Sequence, residues 1–141
     1  MENNIALANN VNELMDSNMN AFCSMRIESK EDKIKFYNAI SNTENQLQDY
    51  VNKEIVIKDI YAETASSIKP ETGELQEFVR IVIISPDGTS YATGSSGVFS
   101  SLKRLIALFG APTWDEGLKV VVKQKKTKNG NHKVLTLEAV L

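Results

Sequence analysis

Read for the spacing of its apolar positions, the chain changes character at Glu54. Upstream, Ile5, Leu7, Val11 and Leu14 are scattered among asparagines with neither the alternation of a strand nor a helical stripe, and residues 1–25 read as a flexible N-terminal arm. Ser29 then stands three residues before Asp32 in capping-box spacing, and Ile34, Tyr37 and Ile40 continue at helical intervals, which predicts a short helix from Lys30 to Ile40. Ser41 to Gln48 is polar and reads as a connection.

From Glu54 the pattern is that of strands. EIVIKDIYAE, starting at Glu54, and EFVRIVIIS, starting at Glu77, are rich in β-branched and aromatic residues, and the turn cluster KPETGE lies between them. Pro86 and Gly88 close a second tight turn, so a third strand runs from Thr89 to Thr93. Ser95 or Ser96 then caps a helix that carries Val98, Leu102, Leu105, Ile106 and Phe109 on one stripe, with Gly110 and Pro112 ending it. LKVVVKQKK and HKVLTLEAV follow, joined through the hairpin pair Asn129-Gly130. Three strands, a helix and two strands is the chain order of a five-stranded OB barrel, although a simple α+β sheet shares the string. The expectation is a mainly β protein, a β-barrel with helices of OB-fold order β-β-β-α-β-β, occupying residues 26–141 after the short helix and the arm.

Outward-facing residues carry the candidate chemistry. Alternation sets Ile55 and Ile57 in register with Asp59 and Tyr61, puts Phe78 and Arg80 on the opposite face from Val79, Ile81 and Ile83, and groups Lys119, Lys123 and Lys125 against inward Val120 and Val122. Tyr91 lies mid-strand. The net charge of -2 conceals an asymmetry, for beyond Gly117 the chain has Lys119, Lys123, Lys125, Lys126, Lys128 and Lys133 against Glu138 alone. That segment suits an anionic partner and equally describes a solvated lysine-rich hairpin. Binding a single nucleic-acid strand requires cations along the phosphates and flat rings for the bases, each stack contributing about 1–3 kcal/mol. Tyr61, Phe78, Arg80, Tyr91 and the six lysines are the candidates, and each aromatic serves equally well as a core or rim residue. Ile5, Leu7, Val11 and Leu14 are the candidates for self-association through the arm.

Other functions lack their residues. No apolar run approaches the roughly 20 residues of a membrane span, and the N-terminus does not show a signal-peptide pattern, so a cytoplasmic protein away from membranes is expected. Cys23 and His132 stand alone and cannot supply a zinc site, and neither a phosphate-loop nor an HExxH motif occurs. No cofactor and no enzymatic activity are expected. Asp87, Asp115 and Glu116 read as turn residues, with a metal-dependent nuclease as the alternative, and Trp114 reads as a cover for the barrel end.

Gly88 to Gln124, GTSYATGSSGVFSSLKRLIALFGAPTWDEGLKVVVKQ, resembles the small single-stranded DNA-binding proteins of Gram-positive phages and conjugative plasmids. NAFCSM at Asn20 to Met25 and KPETGE at Lys69 to Glu74 extend the resemblance over most of the chain beyond the arm. It implies an OB-fold that coats single-stranded DNA with little sequence preference during phage replication or plasmid transfer, together with replication or conjugation partners. The alternative is an OB-fold interaction module of such a complex. The chain ends in LEAVL, without the acidic, glycine-rich tail of bacterial housekeeping single-strand binders.

Overall fold

The stretch read as one strand from Glu54 bends at Lys58 and supplies two, β3 (Glu54–Ile57) and β4 (Asp59–Ile68), which pair in different sheets. The computed structural model describes residues 21–126 and 133–141. Before the bend lie β1 (Ala21–Cys23), α1 (Lys30–Ser41) and β2 (Asn45–Gln46). After it come β5 (Leu75–Ile84), β6 (Ser90–Thr93), α2 (Ser96–Phe109), β7 (Leu118–Lys126) and β8 (Lys133–Ala139). One sheet has the order β1-β4-β5-β6-β2 and the other β3-β7-β8.

The fold is thus mainly β with two helices, and its sheets do not close into a barrel. The two sheets meet at the bend, where the Lys58 N–H donates to the Ile84 carbonyl and the Lys58 carbonyl accepts the Trp114 N–H, both at 2.9 Å. The bend also shifts the strand parity. β3 turns Ile55 and Ile57 into the core, whereas β4 turns Ile60 and Ala62 inward, so Tyr61 lies on the face opposite to the one shared with Ile55 in the sequence reading. A one-residue irregularity reassigns every side chain beyond it. Asp59, just past the bend, is buried and accepts hydrogen bonds from the hydroxyls of Ser24 and Thr113.

Local signals account for the helices. Asp32 N–H donates to Ser29 Oγ at 3.0 Å while Ser29 N–H donates to Asp32 Oδ2 at 3.1 Å, completing the capping box of α1. In α2 the Val98 N–H donates to Ser95 Oγ, and Val98, Leu102, Leu105 and Ile106 are buried. Phe109, expected on the same stripe, is 54% exposed because the helix continues a turn beyond its last buried contact at Ile106. Gly97 allows the start of α2 to lie against β8, since a Cβ there would overlap the Leu135 carbonyl.

The main core gathers Phe22, Leu47, Ile57, Ile81, Ile83, Leu102 and Val120 between the sheets and α2, with Trp114 packed partly against it. A smaller cluster on the other face of the five-stranded sheet holds Cys23, Tyr61, Val82, Ile84 and Ala92 beneath Phe36, Ala39 and Ile40 of α1. Two strands had no sequence signal. β1 pairs with β4 upstream of residue 26, and β2 pairs in parallel with β6 inside the expected connection. The arm residues Ile5, Leu7, Val11 and Leu14, with Lys128 and the Asn129-Gly130 turn, lie outside the described residues. No helix among the described residues is long and apolar enough to cross a membrane.

Candidate nucleic-acid interface

The β7–β8 register divides the candidate lysines between two faces. Lys126 stands opposite Lys133 and Gln124 opposite Leu135, all with the parity of the inward Val120 and Val122. Lys119, Lys123 and Lys125 alternate to the outer face beside Val56, Val121 and Val134, where Lys123 pairs with Glu138 at 3.6 Å.

Beyond the core, the inward face opens into a groove of about 710 Å³ between the β2–β6 edge and the hairpin. Gln46, Gln48, Ser95, Ser96, Gln124 and Lys133 line it, giving a polar trough with one lysine in its wall and Lys126 opposite that lysine in the ladder. The first turn of α2 opens onto it and has no acidic residue, so the positive end of the helix dipole adds to the local field.

Gly94 forms part of the same wall, and the Phe78 ring lies against it, with Phe78 Cδ2 3.1 Å from where a Gly94 Cβ would stand. Phe78 stands opposite Ala65 in the β4–β5 ladder, so small residues flank a half-buried ring. Lys133 and the groove glutamines thus share one trough, whereas Phe78, on the sheet face of Arg80 and Val82, does not line it and touches its wall at Gly94.

Arg80, Tyr61 and Tyr91 occupy different environments. Arg80 Nη2 donates to the Ile40 carbonyl and to Thr43 Oγ1, both at 3.0 Å, and Nη1 lies 3.7 Å from Glu63, so its fork ties the end of α1 to β5. Tyr61 and Tyr91 are only 7% and 8% exposed and lie on opposite faces of the sheet. Tyr61 packs edge-on against Phe36 at 5.4 Å, and Tyr91 against Tyr50 at 4.9 Å. Burial pushes both phenols above their ordinary range, helped in Tyr61 by the hydrogen bond it donates to Glu63. For either ring to receive a base, its aromatic neighbour would have to move.

The groove glutamines and serines escaped the sequence reading because isolated polar residues in short or irregular segments carry no periodic signal. Asp87 behaves as a turn residue. It accepts the Thr89 N–H at 2.9 Å, and that bond holds its carboxyl below the usual range. Among the described residues, no group of three or more His, Cys, Asp or Glu side chains could hold a metal ion.

No curated protein and no solved structure matches the chain. A family model described as phage single-stranded DNA-binding protein, of Phi29 type, matches residues 15–139. That match covers most of the chain, including both sheets, both helices and every residue of the groove. The chain belongs to the Phi29-type phage single-stranded DNA-binding protein family.

Proposed function

We propose that this protein binds single-stranded DNA, without catalysis and with little sequence preference, along the groove between the β2–β6 edge and the β7–β8 hairpin. The observation that carries this reading is the placement of Lys133 and the Gln46, Gln48 and Gln124 amides around one open trough, with the Phe78 ring against Gly94 of its wall, in a chain of this family. Lysines attract the phosphates, amides accept varied contacts, and the exposed part of a ring stacks on any base, which favours tolerance of sequence. Lys126 extends the cationic wall, and Lys119, Lys123 and Lys125 add to the field at longer range, with Lys128 in the same basic segment of the sequence. Arg80, Tyr61 and Tyr91 act by holding the sheet and α1 together away from the DNA.

The same reading treats β3 and β4 as one bent strand of an OB-type barrel, since that strand pairs with β7 before Lys58 and with β5 after it. In OB folds the faces of the second and third strands, and the loops beside them, receive oligonucleotides. Here those strands are β5 and β6, which carry Phe78 and lead to Gly94. Membership in a phage family favours phage replication over plasmid transfer as the setting. Self-association through Ile5, Leu7, Val11 and Leu14 belongs to this proposal too, although the family match starts beyond all four.

Titration with oligo-dT, a duplex of equal length and oligo-rU at low salt tests the reading. Tight binding to oligo-dT with much weaker duplex binding is the expected result. Failure to bind oligo-dT would overturn it and favour an interaction module.

A further inference from the structure

The β4–β5 hairpin outruns its neighbours. Among the described residues, β1 pairs with β4 as far as Glu63 and β6 with β5 as far as Ile81, so residues 64–79 form a two-stranded projection with no described strand on either side. Five residues of extended chain carry its tip about 15 Å outward. At the tip Ile68 stands directly opposite Leu75, and the two are 65% and 66% exposed. The turn and strand residues next to this apolar pair include Glu71, Glu74 and Glu77 against Lys69.

An opposite patch lies on α2. Leu108 and Phe109 are 81% and 54% exposed, and Arg104 sits one turn before Leu108 on the same side of the helix. Lys103 lies beside it, its ammonium 5.0 Å from the Phe99 ring, and α2 contains no acidic residue. Exposed apolar pairs of this kind mark interaction sites, and here acids accompany one while Arg104, with Lys103 next to it, accompanies the other.

We infer that copies of this chain associate head to tail, the acidic tip of the β4–β5 hairpin of one copy docking on the Arg104–Leu108 side of α2 in the next. The partner is a second copy because both complementary surfaces are present on every chain, apolar meeting apolar and acid meeting base. Within one chain they do not meet, as the exposure of Ile68, Leu75 and Leu108 shows. A contact between two different patches is heterologous and propagates as a ring or an open row instead of stopping at a dimer. An open row matches the linear shape of a polynucleotide, but the contact itself does not depend on DNA binding.

Sedimentation velocity of the full chain over a wide concentration range, alone and on long oligo-dT, reads the contact. The paired swap Glu71→Lys with Glu74→Lys should weaken association about tenfold or more, and so should Lys103→Glu with Arg104→Glu, because each sets like charges face to face. Combining all four changes in one chain should restore association, which a merely structural effect would not do. Ile68→Ser with Leu75→Ser should also weaken association while leaving affinity for a single-site oligonucleotide unchanged. The inference is overturned by a parent that stays monomeric under every condition, by either swap leaving association as it was, or by no recovery in the combined swap. Loss of short-oligonucleotide affinity in the Ile68 and Leu75 variant also overturns it, by assigning the hairpin to DNA. Failure of the DNA reading appears separately, as a parent that ignores oligo-dT while its self-association remains measurable.

Discussion

Gly94 lies so close to Phe78 that a Cβ on the glycine would stand 3.1 Å from Cδ2 and 3.3 Å from Cε2 of the ring. Such distances are tighter than ordinary van der Waals contact, so Gly94→Ala must shift the ring by a few tenths of an ångström. Phe78→Ala is expected to lower oligo-dT affinity by about 1–3 kcal/mol, the value of one stacked base. Gly94→Ala should weaken binding in the parent and have no further effect in the Phe78→Ala chain, because the two changes act on one ring. Equilibrium titration of the four chains checks the cycle, and additive effects would separate the glycine from the ring.

Arg80 on β5 makes three polar contacts, with Ile40 in the last turn of α1, with Thr43 just beyond it and with Glu63 on β4. Arg80→Ala removes the guanidinium bonds to the Ile40 carbonyl and Thr43 and the ion pair to Glu63, leaving only the Thr43 and Tyr61 hydroxyls on those two acceptors, at an expected cost of about 1–3 kcal/mol in unfolding free energy. Arg80→Lys should recover only part of this because an ammonium cannot span the Ile40, Thr43 and Glu63 acceptors as a planar fork does. Urea denaturation measures both. A full loss of DNA affinity in a variant of unchanged stability would place Arg80 on the nucleic acid instead.

Gly97→Ala sets a methyl group against the Leu135 carbonyl, a backbone atom of β8 that cannot swing away. The start of α2 must shift, and a loss of about 1–3 kcal/mol is expected, as for other overpacked sites. Thermal melting of the variant beside Ser96→Ala, at a neighbouring position, separates the clash from a change in helix propensity.

Burial pushes the Cys23 thiol up to about 11 from its ordinary 9.0. The unfolded chain therefore releases this proton first, and the thiol's contribution to stability is complete below pH 9.0 and is lost as pH rises toward about 11. The raised Tyr61 phenol adds a loss of the same sign at higher pH. Urea midpoints at a series of pH values from below 9.0 up to about 11 should fall more steeply for the parent than for Cys23→Ala, and parallel curves would contradict the assignment.

Much of the fold was legible in the sequence, and the reasons differ by element. The Ser29 capping box, the α2 stripe and the KPETGE and Pro86-Gly88 turns are local signals, and each produced the predicted element. The bend at Lys58 was not readable, since EIVIKDIYAE alternates well enough for one strand, and missing it put Tyr61 on the wrong face. β2 consists of Asn45 and Gln46, whose pairing with β6 depends on residues far along the chain. The sequence marks Phe78 and Lys133 as surface candidates, yet only the fold shows that Lys133 lines a groove whose wall the Phe78 ring touches at Gly94, while Lys119, Lys123 and Lys125 face away.

The central claim is that single-stranded DNA lies in the groove and not on the outer face of the three-stranded sheet. The salt dependence of oligo-dT binding tests it most directly, measured for the parent, for Lys126→Ala with Lys133→Ala, and for Lys119→Ala with Lys123→Ala and Lys125→Ala. Removing one lysine that neutralises a phosphate reduces the slope of log K against log salt by about 0.7 on a single strand. The account predicts a slope flatter by about 1.4 and weaker binding for the groove pair, with a smaller change for the outer triple. An unchanged slope in the groove pair beside a flattened one in the outer triple would place the DNA on the opposite face and contradict the account.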